Sequence, residues 1–179
     1  GGRDYNTTDL SERSLRETYF PPFKSAVDAG VGSFMTSFND IDGIPATANP
    51  FVLKKILRDE WKFDGLVVSD YTAVMELMFH GLAKDEADAA MYALNAGTDM
   101  EMVSKLYNKH GEKLLKDKKI SMATIDNSVR NILRVKFRLG LFDNPFASEE
   151  LEKREVFKQA NLDAAKRAAE RSFVLLRNE

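Results

Sequence analysis

The chain has 179 residues, of which 44% are hydrophobic and 30% are charged, and its formal net charge is -2. This composition is typical of one globular domain, and the near-neutral charge predicts no binding to nucleic acid or to an anionic membrane. Cysteine is absent and no apolar run reaches membrane-spanning length, which excludes disulfides, thiolate chemistry and a transmembrane helix within these residues.

The sequence begins with Gly1 and Gly2 rather than Met. We therefore expect an excerpt from a longer protein. The lack of a signal peptide leaves the cellular location open, with secretion and the periplasm both compatible. The first predicted segment, residues 1–8, is a polar loop whose Arg, Asp, Tyr and Asn side chains are typical of a binding loop.

A helix, a strand and a second helix are predicted next. Asp9 and Glu12 stand in a capping-box relation, which predicts the start of the first helix. Two successive prolines should interrupt this helix, and Gly30 has the conformational freedom that its end requires. A strand pattern and an Asp-Gly turn follow Gly30. The pair Asn49-Pro50 then predicts the cap and first turn of the second helix.

The apolar run at 66–68 predicts a strand buried on both faces, and it ends at Ser69, Asp70 and Tyr71. In parallel α/β enzymes the catalytic groups lie at the carboxyl ends of such strands. An aspartate at this position can also cap a helix. The alternation of strands and helices around it favours the catalytic interpretation, so we predict that Asp70 is a nucleophile.

The rest of the chain continues the alternation. Further patterns predict a helix at 86–95, a strand at 98–102, helices at 103–116 and 121–139, a linker, a charged helix at 149–171 and a strand at 173–177. Strands that alternate with helices imply crossover connections and a parallel sheet. Three strands do not close an eight-stranded barrel, which needs roughly 250 residues. The predicted fold is therefore α/β, the last part of a (β/α)8 TIM-like barrel.

Several motifs, in this order, resemble glycoside hydrolase family 3 of the β-glucosidase type. They are Gly1–Asn6, Ser33–Asn39, Ile56–Trp61, Phe63–Asp70 and Ala96–Met100. The resemblance implies that residues 1–142 are the C-terminal portion of the glycosidase barrel and that 143–150 are a linker. It also implies that residues 151–179 are the connecting helix and first strand of an α/β sandwich domain.

The same resemblance implies a retaining exo-glycosidase, in the first place a β-glucosidase that releases terminal β-D-glucosyl residues through a covalent intermediate on Asp70. Met35 and Phe38 match the strand end that walls the sugar subsite, where the family often has Tyr in place of Phe38. Tyr71 matches a position often occupied by Trp. No metal and no cofactor are implied. The implied partner is a small β-glucoside or oligosaccharide, with an acid/base supplied from beyond Glu179 and with the first barrel strands and a sugar-binding Lys-His pair upstream of this chain.

Other interpretations were weighed against this one. Glu101, at the neighbouring predicted strand end, is the only local candidate for the acid/base, but a loop or supporting role suits it better. A phospho-receiver domain needs an acidic pair and a late Lys that the chain lacks. A non-catalytic carbohydrate-binding barrel remnant stays open, because binding and attack need the same Asp70. His80 and His110 are predicted to be surface or loop residues, since no metal-ligand spacing or catalytic order surrounds them.

Overall fold

The structure is a computed structural model that describes residues 3–178. The chain divides into two units, with the boundary between Leu139 and Gly140. Within residues 3–139 the strands are β1 (Ser33–Met35), β2 (Asp40–Ile41), β3 (Ile44–Pro45), β4 (Leu66–Tyr71) and β5 (Met100–Met102). The α-helices of this unit are α1 (Glu12–Ser14), α2 (Phe20–Asp28), α3 (Ala73–Glu76), α4 (Glu86–Ala96), α5 (Leu106–Lys116) and α6 (Met122–Arg138). Two segments are π-helical, Leu15–Tyr19 and Phe51–Glu60, and Ala46–Ala48 forms a 3-10 turn.

A parallel sheet in the order β1-β4-β5 is the centre of the first unit. Phe34 lies opposite Val67, and Val68 lies opposite Met100. Val67 and Ser69 are fully buried, whereas the alternating residues Leu66, Val68 and Asp70 are partly exposed. The predicted mixed α/β architecture with a parallel sheet is confirmed, and the carboxyl ends of the three strands meet at one edge.

Two apolar clusters hold helices around this sheet. The first joins α3, α4 and α5 through fully buried residues that include Val74, Leu77 and Ala93. The second packs Val67 of the sheet against Leu53 and further residues of the helical segment Phe51–Glu60. Burial of such side chains contributes roughly 1.5–3 kcal/mol each, so the two clusters stabilise the packing of this unit.

Helix ends follow the predicted capping chemistry in part. The Oδ1 atom of Asn49 accepts hydrogen bonds from the amides of Phe51 (3.0 Å) and Val52 (3.3 Å), as the Asn-Pro pair predicts. The predicted cap at Asp9 is wrong, because Ser11 caps α1 by accepting from the amide of Ser14 at 3.2 Å. The two prolines occupy the first turn of α2. Since their missing amides need no partner there, the chain stays helical where a break was predicted.

Turns account for other departures from the sequence prediction. The strand predicted at 31–38 is limited to Ser33–Met35, and β2 and β3 form an antiparallel hairpin that was predicted only as a turn. Thr8 extends this hairpin, since its amide donates to the carbonyl of Asp40 at 2.9 Å. Helix α5 starts later than predicted because Val103 and Lys105 have left-handed backbone angles, with φ of 73° and 59°.

The second unit, described through residue 178, contains α7 (Glu149–Glu155) and α8 (Gln159–Ser172). The single helix predicted at 149–171 is interrupted, with Phe157 at a left-handed φ of 59°. The strand predicted at 173–177 is wrong: residues 173–178 are neither helix nor strand. A strand needs a neighbouring strand for its backbone hydrogen bonds, and residues 140–178 contain no other strand. None of the helices in the described part of the chain is both long and apolar enough to span a membrane.

Candidate active site

Asp70 lies at the carboxyl end of the central strand β4 and is partly buried. Its Oδ1 atom accepts a hydrogen bond from the amide of Tyr71 at 2.6 Å. Among residues 3–178 no group donates to its Oδ2 atom, so this oxygen is available to an incoming ligand. An ionised carboxylate accepts hydrogen bonds or acts as a nucleophile, and the geometry leaves both uses open.

A cavity of about 480 Å³ contains Asp70 in its wall together with two further predicted site residues, Met35 and Phe38. Met35 is 57% exposed and Phe38 is partly buried. Most of the wall is apolar, and its polar members include Asp4 and Asn39. The structure therefore brings a carboxylate, a thioether and an aromatic ring to one apolar cavity, which is the usual composition of a small-molecule site.

Tyr71 follows Asp70 directly but does not line this cavity. Tyr71 is 58% exposed, although strand alternation places it on the same face as the buried Val67 and Ser69. Its amide, through the hydrogen bond to Asp70, is the part of Tyr71 that contacts the carboxylate. Tyr71 is thus placed beside the cavity, where an exposed ring can contact a group that extends out of it.

The end of β4 is fixed by an irregular junction with β5. The register between the strands shifts between Val68 and Tyr71. The hydroxyl of the buried Ser69 accepts from the amide of Met102 and donates to the carbonyl of Asp70, both at 2.8 Å. Thr72 then adopts a left-handed φ of 57°. Such irregularities at strand ends redirect side chains and often accompany functional sites.

An aromatic cluster that the sequence analysis missed adjoins Phe38. The ring of Tyr5 stacks on that of Phe38 with centroids 4.5 Å apart and an interplanar angle of 20°. The ring of His80 is 6.4 Å from that of Tyr5 and nearly parallel to it. His80 lies in a turn and is only partly buried, which agrees with its predicted surface or loop position. The composition of the first loop indicated binding, but no local pattern connects residues so far apart in sequence.

The phenol of Tyr5 is close to several carboxylates. Loss of solvent and the nearby carboxylates of Glu76, Asp4 and Asp70 together raise the pKa of Tyr5. The phenol of Tyr5 therefore stays protonated at neutral pH, beside the ring of Phe38.

The other candidate acid/base side chains already have hydrogen-bond or ion-pair partners outside the cavity. Glu101 accepts a hydrogen bond from the amide of Tyr107 at 2.7 Å, and its second oxygen is buried without a partner among the described residues. Asp99 is buried and paired with Arg58 at 2.7 Å. His110 pairs with Glu86 at 3.0 Å. Residues 3–178 contain no group of three or more His, Asp or Glu side chains arranged to hold a metal ion.

The sequence also matches a family model described as "Glycosyl hydrolase family 3 N terminal domain" over residues 1–135. The chain belongs to glycosyl hydrolase family 3. Its curated relatives include a periplasmic β-glucosidase of Salmonella typhimurium, 41% identical over 99% of this chain and 24% of that protein. They also include a β-xylosidase of Formosa agariphila, 40% identical over 96% of this chain and 25% of that protein. The family 3 chain thus spans about a quarter of the length of these relatives.

Solved structures of β-glucosidases are similar to all or most of this chain. A β-glucosidase of Erythrobacter marinus superposes with a TM-score of 0.90, at 36% identity, over 100% of this chain and 24% of that one. A β-glucosidase of Listeria innocua in complex with isofagomine gives a TM-score of 0.78, at 40% identity, over 80% of this chain and 20% of that one. The family assignment expected from the sequence motifs is confirmed.

Proposed function

We propose that the protein containing this chain is a retaining, exo-acting β-glucosidase that releases terminal non-reducing β-D-glucosyl residues. The observation that supports it best is the position of Asp70, at the carboxyl end of the central parallel strand with one oxygen open to the cavity. The β-glucosidases among its relatives support the same activity. Under this proposal Met35 and Phe38 wall the sugar site and Tyr71 contacts the leaving-group side.

The reaction proceeds in two displacements. In the first, an oxygen of Asp70 bonds to the anomeric carbon while the glycosidic bond breaks, and a general acid protonates the departing oxygen. In the second displacement, the residue that served as general acid acts as a base and takes a proton from water. This water attacks the anomeric carbon, and the bond to Asp70 breaks. The apolar cavity excludes competing water and holds the sugar ring by contact with its C–H groups.

The acid/base of this mechanism is proposed to lie outside residues 1–179. Retaining enzymes place their two carboxyl groups about 5 to 5.5 Å apart. Glu101 is the local alternative, but one of its oxygens already caps the start of α5 through Tyr107, and it does not line the cavity. A residue that must exchange a proton with the leaving group needs access to it, which disfavours Glu101.

The proposed architecture follows the same family. We propose that residues 1–142 are the C-terminal portion of a (β/α)8 barrel, that 143–150 are a linker and that 151–179 connect to a second domain. Strands β1 and β5 each have one edge without a neighbour in the sheet of the described residues. Unpaired parallel edges of this kind are closed by further strands in a barrel.

The deciding experiment is covalent labelling of the full-length protein. A 2-deoxy-2-fluoro-β-glucoside with a good leaving group slows the second displacement, so the glycosyl ester accumulates and peptide mass spectrometry locates it. We expect the label on Asp70 and none on Asp70→Asn. Asp126→Asn, on the exposed face of α6, is the matched control and should label normally.

Three outcomes would contradict the proposal. Glucoside binding with neither label nor turnover would indicate a carbohydrate-binding protein that has lost catalysis. Efficient turnover of an aryl β-xyloside with little of the matching glucoside would instead indicate a β-xylosidase, the activity named for the Formosa relative. A label on Glu101 or on another residue would refute the assignment of Asp70.

A further inference from the structure

We propose that Tyr5 and Glu76 are positioning residues, Tyr5 for the ring of Phe38 that faces the sugar and Glu76 for the turn that follows Asp70. The inference rests on the proposed glucosidase function. Neither residue belongs to the motif at the end of β4, and Tyr5 does not line the cavity. Their effect on the reaction would therefore pass through Phe38 and through the backbone after Asp70.

Phe38 depends on its neighbours for its orientation. A phenylalanine has no polar atom with which to anchor itself, so ring packing alone determines where its face points. The near-parallel contact with Tyr5, at a centroid distance of 4.5 Å, is the aromatic contact that fixes this ring. Because a sugar is held through the face or edge of such a ring, a rotation of Phe38 weakens every contact that the wall makes.

Glu76 supports the turn after the nucleophile. Its Oε1 atom accepts a hydrogen bond from the hydroxyl of Thr72 at 2.6 Å. Thr72 is two residues after Asp70, and its left-handed φ of 57° is unfavourable for a β-branched residue. Such a conformation persists only where surrounding contacts impose it. The contact with Glu76 is one, and the hydrogen bond from the Thr72 amide to Met102 at 3.2 Å is another.

The ring of Tyr5 is not needed to attach its own loop. Asn39 donates from its Nδ2 atom to the carbonyls of Arg3 (2.8 Å) and Asn6 (3.0 Å). Thr8 is held to Asp40 by backbone hydrogen bonding. Since these contacts involve neither the ring nor the hydroxyl of Tyr5, truncation of Tyr5 should leave the loop in place and change mainly the support of Phe38.

The test is a double-mutant cycle on the full-length protein with an aryl β-glucoside as substrate. Tyr5→Ala is expected to raise KM roughly tenfold with kcat within about twofold, because the wall contacts the sugar in both ground and transition states. Tyr5→Phe keeps the stack and should recover most of this loss. In the Phe38→Ala background, Tyr5→Ala should have no further effect on KM, because a residue that acts through Phe38 has nothing left to position.

A second cycle tests Glu76. Glu76→Ala should raise KM roughly two- to threefold, and it should do so equally in the wild-type and Tyr5→Ala backgrounds, since Glu76 acts on Thr72 and Tyr5 acts on Phe38. Tyr92→Ala, a comparably exposed tyrosine on α4, is the matched control and should leave KM unchanged. If Tyr5→Ala does not fold, Tyr5→Leu replaces it, because it preserves volume without the ring.

Failure of this inference is distinguishable from failure of the proposed function. If wild type labels at Asp70 but Tyr5→Ala and Phe38→Ala raise KM independently, Tyr5 acts by another route and the positioning role is wrong. An unchanged KM in Tyr5→Ala also overturns it. If wild type neither labels nor turns over glucoside, the glucosidase proposal itself fails, and the positioning role fails with it.

Discussion

The two ends of the parallel sheet use the same residue type in opposite ways. At the carboxyl end, Asp70 has one oxygen bonded to the amide of Tyr71 and the other open. At the amino end, Asp99 has both oxygens occupied, by Arg58 at 2.7 Å, by the amide of Val67 at 2.9 Å and by Asn131 at 3.0 Å. The proposed catalytic carboxylate thus has one oxygen without a donor, whereas the carboxylate that links neighbouring elements at the amino end has donors on both oxygens.

The amino end is tied by further charged contacts. Arg58 also donates to the carbonyls of Phe63 (2.9 Å) and Gly65 (2.7 Å), so one guanidinium links Asp99 to the start of β4. Burial raises the pKa of Asp99, against the opposing effects of the Val67 amide, Asn131 and Arg58. A buried pair of this kind contributes rigidity, and each partner depends on the other for its compensation.

The largest effect is expected at the open carboxylate. In the full-length protein Asp70→Asn should reduce kcat with an aryl β-glucoside by roughly 10⁴- to 10⁶-fold, as is typical when a nucleophile is removed. The amide has the same shape, so the melting temperature should stay close to that of wild type. Kinetics and thermal melts are the measurements. Activity near wild type would show that Asp70, like Asp99, has only a structural role.

The opposite result, a loss of stability without a loss of activity, is expected at Asp99. Asp99→Ala leaves the Arg58 guanidinium, whose side chain is only 18% exposed, without its counter-charge. Loss of one partner of a buried pair costs about 3–5 kcal/mol in the free energy of unfolding. Urea unfolding measures this cost, and kcat per folded molecule should be retained. A cost below about 1 kcal/mol would mean that the pair is not a support of the sheet.

A smaller effect is expected beside the nucleophile. Tyr71→Ala should raise KM by up to about tenfold, since an aromatic contact contributes about 0.5–1.5 kcal/mol. The ring is 58% exposed, so the free energy of unfolding should change by about 0.5 kcal/mol or less. Steady-state kinetics and thermal melts of the variant test both values. Unaltered kinetics together with a large loss of stability would identify Tyr71 as a core residue.

The smallest effect is expected on the pH dependence of stability, at an ion pair near the amino end of the sheet. Two hydrogen bonds from Arg138, at 2.8 and 2.6 Å, lower the pKa of Asp64 from its ordinary 3.8. The folded state then binds fewer protons than the unfolded state, so this stabilisation is present above pH 3.8 and is lost as pH falls through the lowered pKa.

Arg138→Met should therefore cost less than about 1 kcal/mol at neutral pH, because the pair is more than half exposed and screened by water. Urea unfolding at a series of pH values should show the difference from wild type vanishing in acid. High salt should reduce it at neutral pH. A difference that grew toward low pH would reverse the sign assigned to Asp64.

The sequence was informative where a local pattern determines the structure. The apolar run before Asp70 forms the predicted strand, although only one of its faces is fully buried, and the Asn49-Pro50 pair caps a helix as predicted. These features depend on a few adjacent residues. The resemblance to the family motifs also predicted that Met35 and Phe38 lie near Asp70, which residue spacing alone did not indicate.

Contacts between distant residues were not predictable in the same way. Tyr5 and Phe38 are 33 residues apart, and nothing near either one specifies the stack. The strand predicted at 173–177 fails for a related reason, since an apolar run forms a strand only beside a partner, and the second unit has no other strand. Propensity describes the chain locally, whereas pairing depends on the whole fold.

The contact between the two glycines that precede β1 and β4 determines which side chain is presented to the cavity. A methyl group added at Gly65 would lie 2.3 Å from the carbonyl oxygen of Gly32. The absence of a Cβ at Gly65 therefore allows the two backbones to approach closely in the observed alignment, which the hydrogen bond from the Leu66 amide to the Gly32 carbonyl at 3.1 Å completes. A slip of one residue would turn Ser69 toward the cavity and bury Asp70 against the helices. The absence of a Cβ at Gly65, at the amino end of the strand, thus favours the alignment in which Asp70 rather than Ser69 faces the cavity.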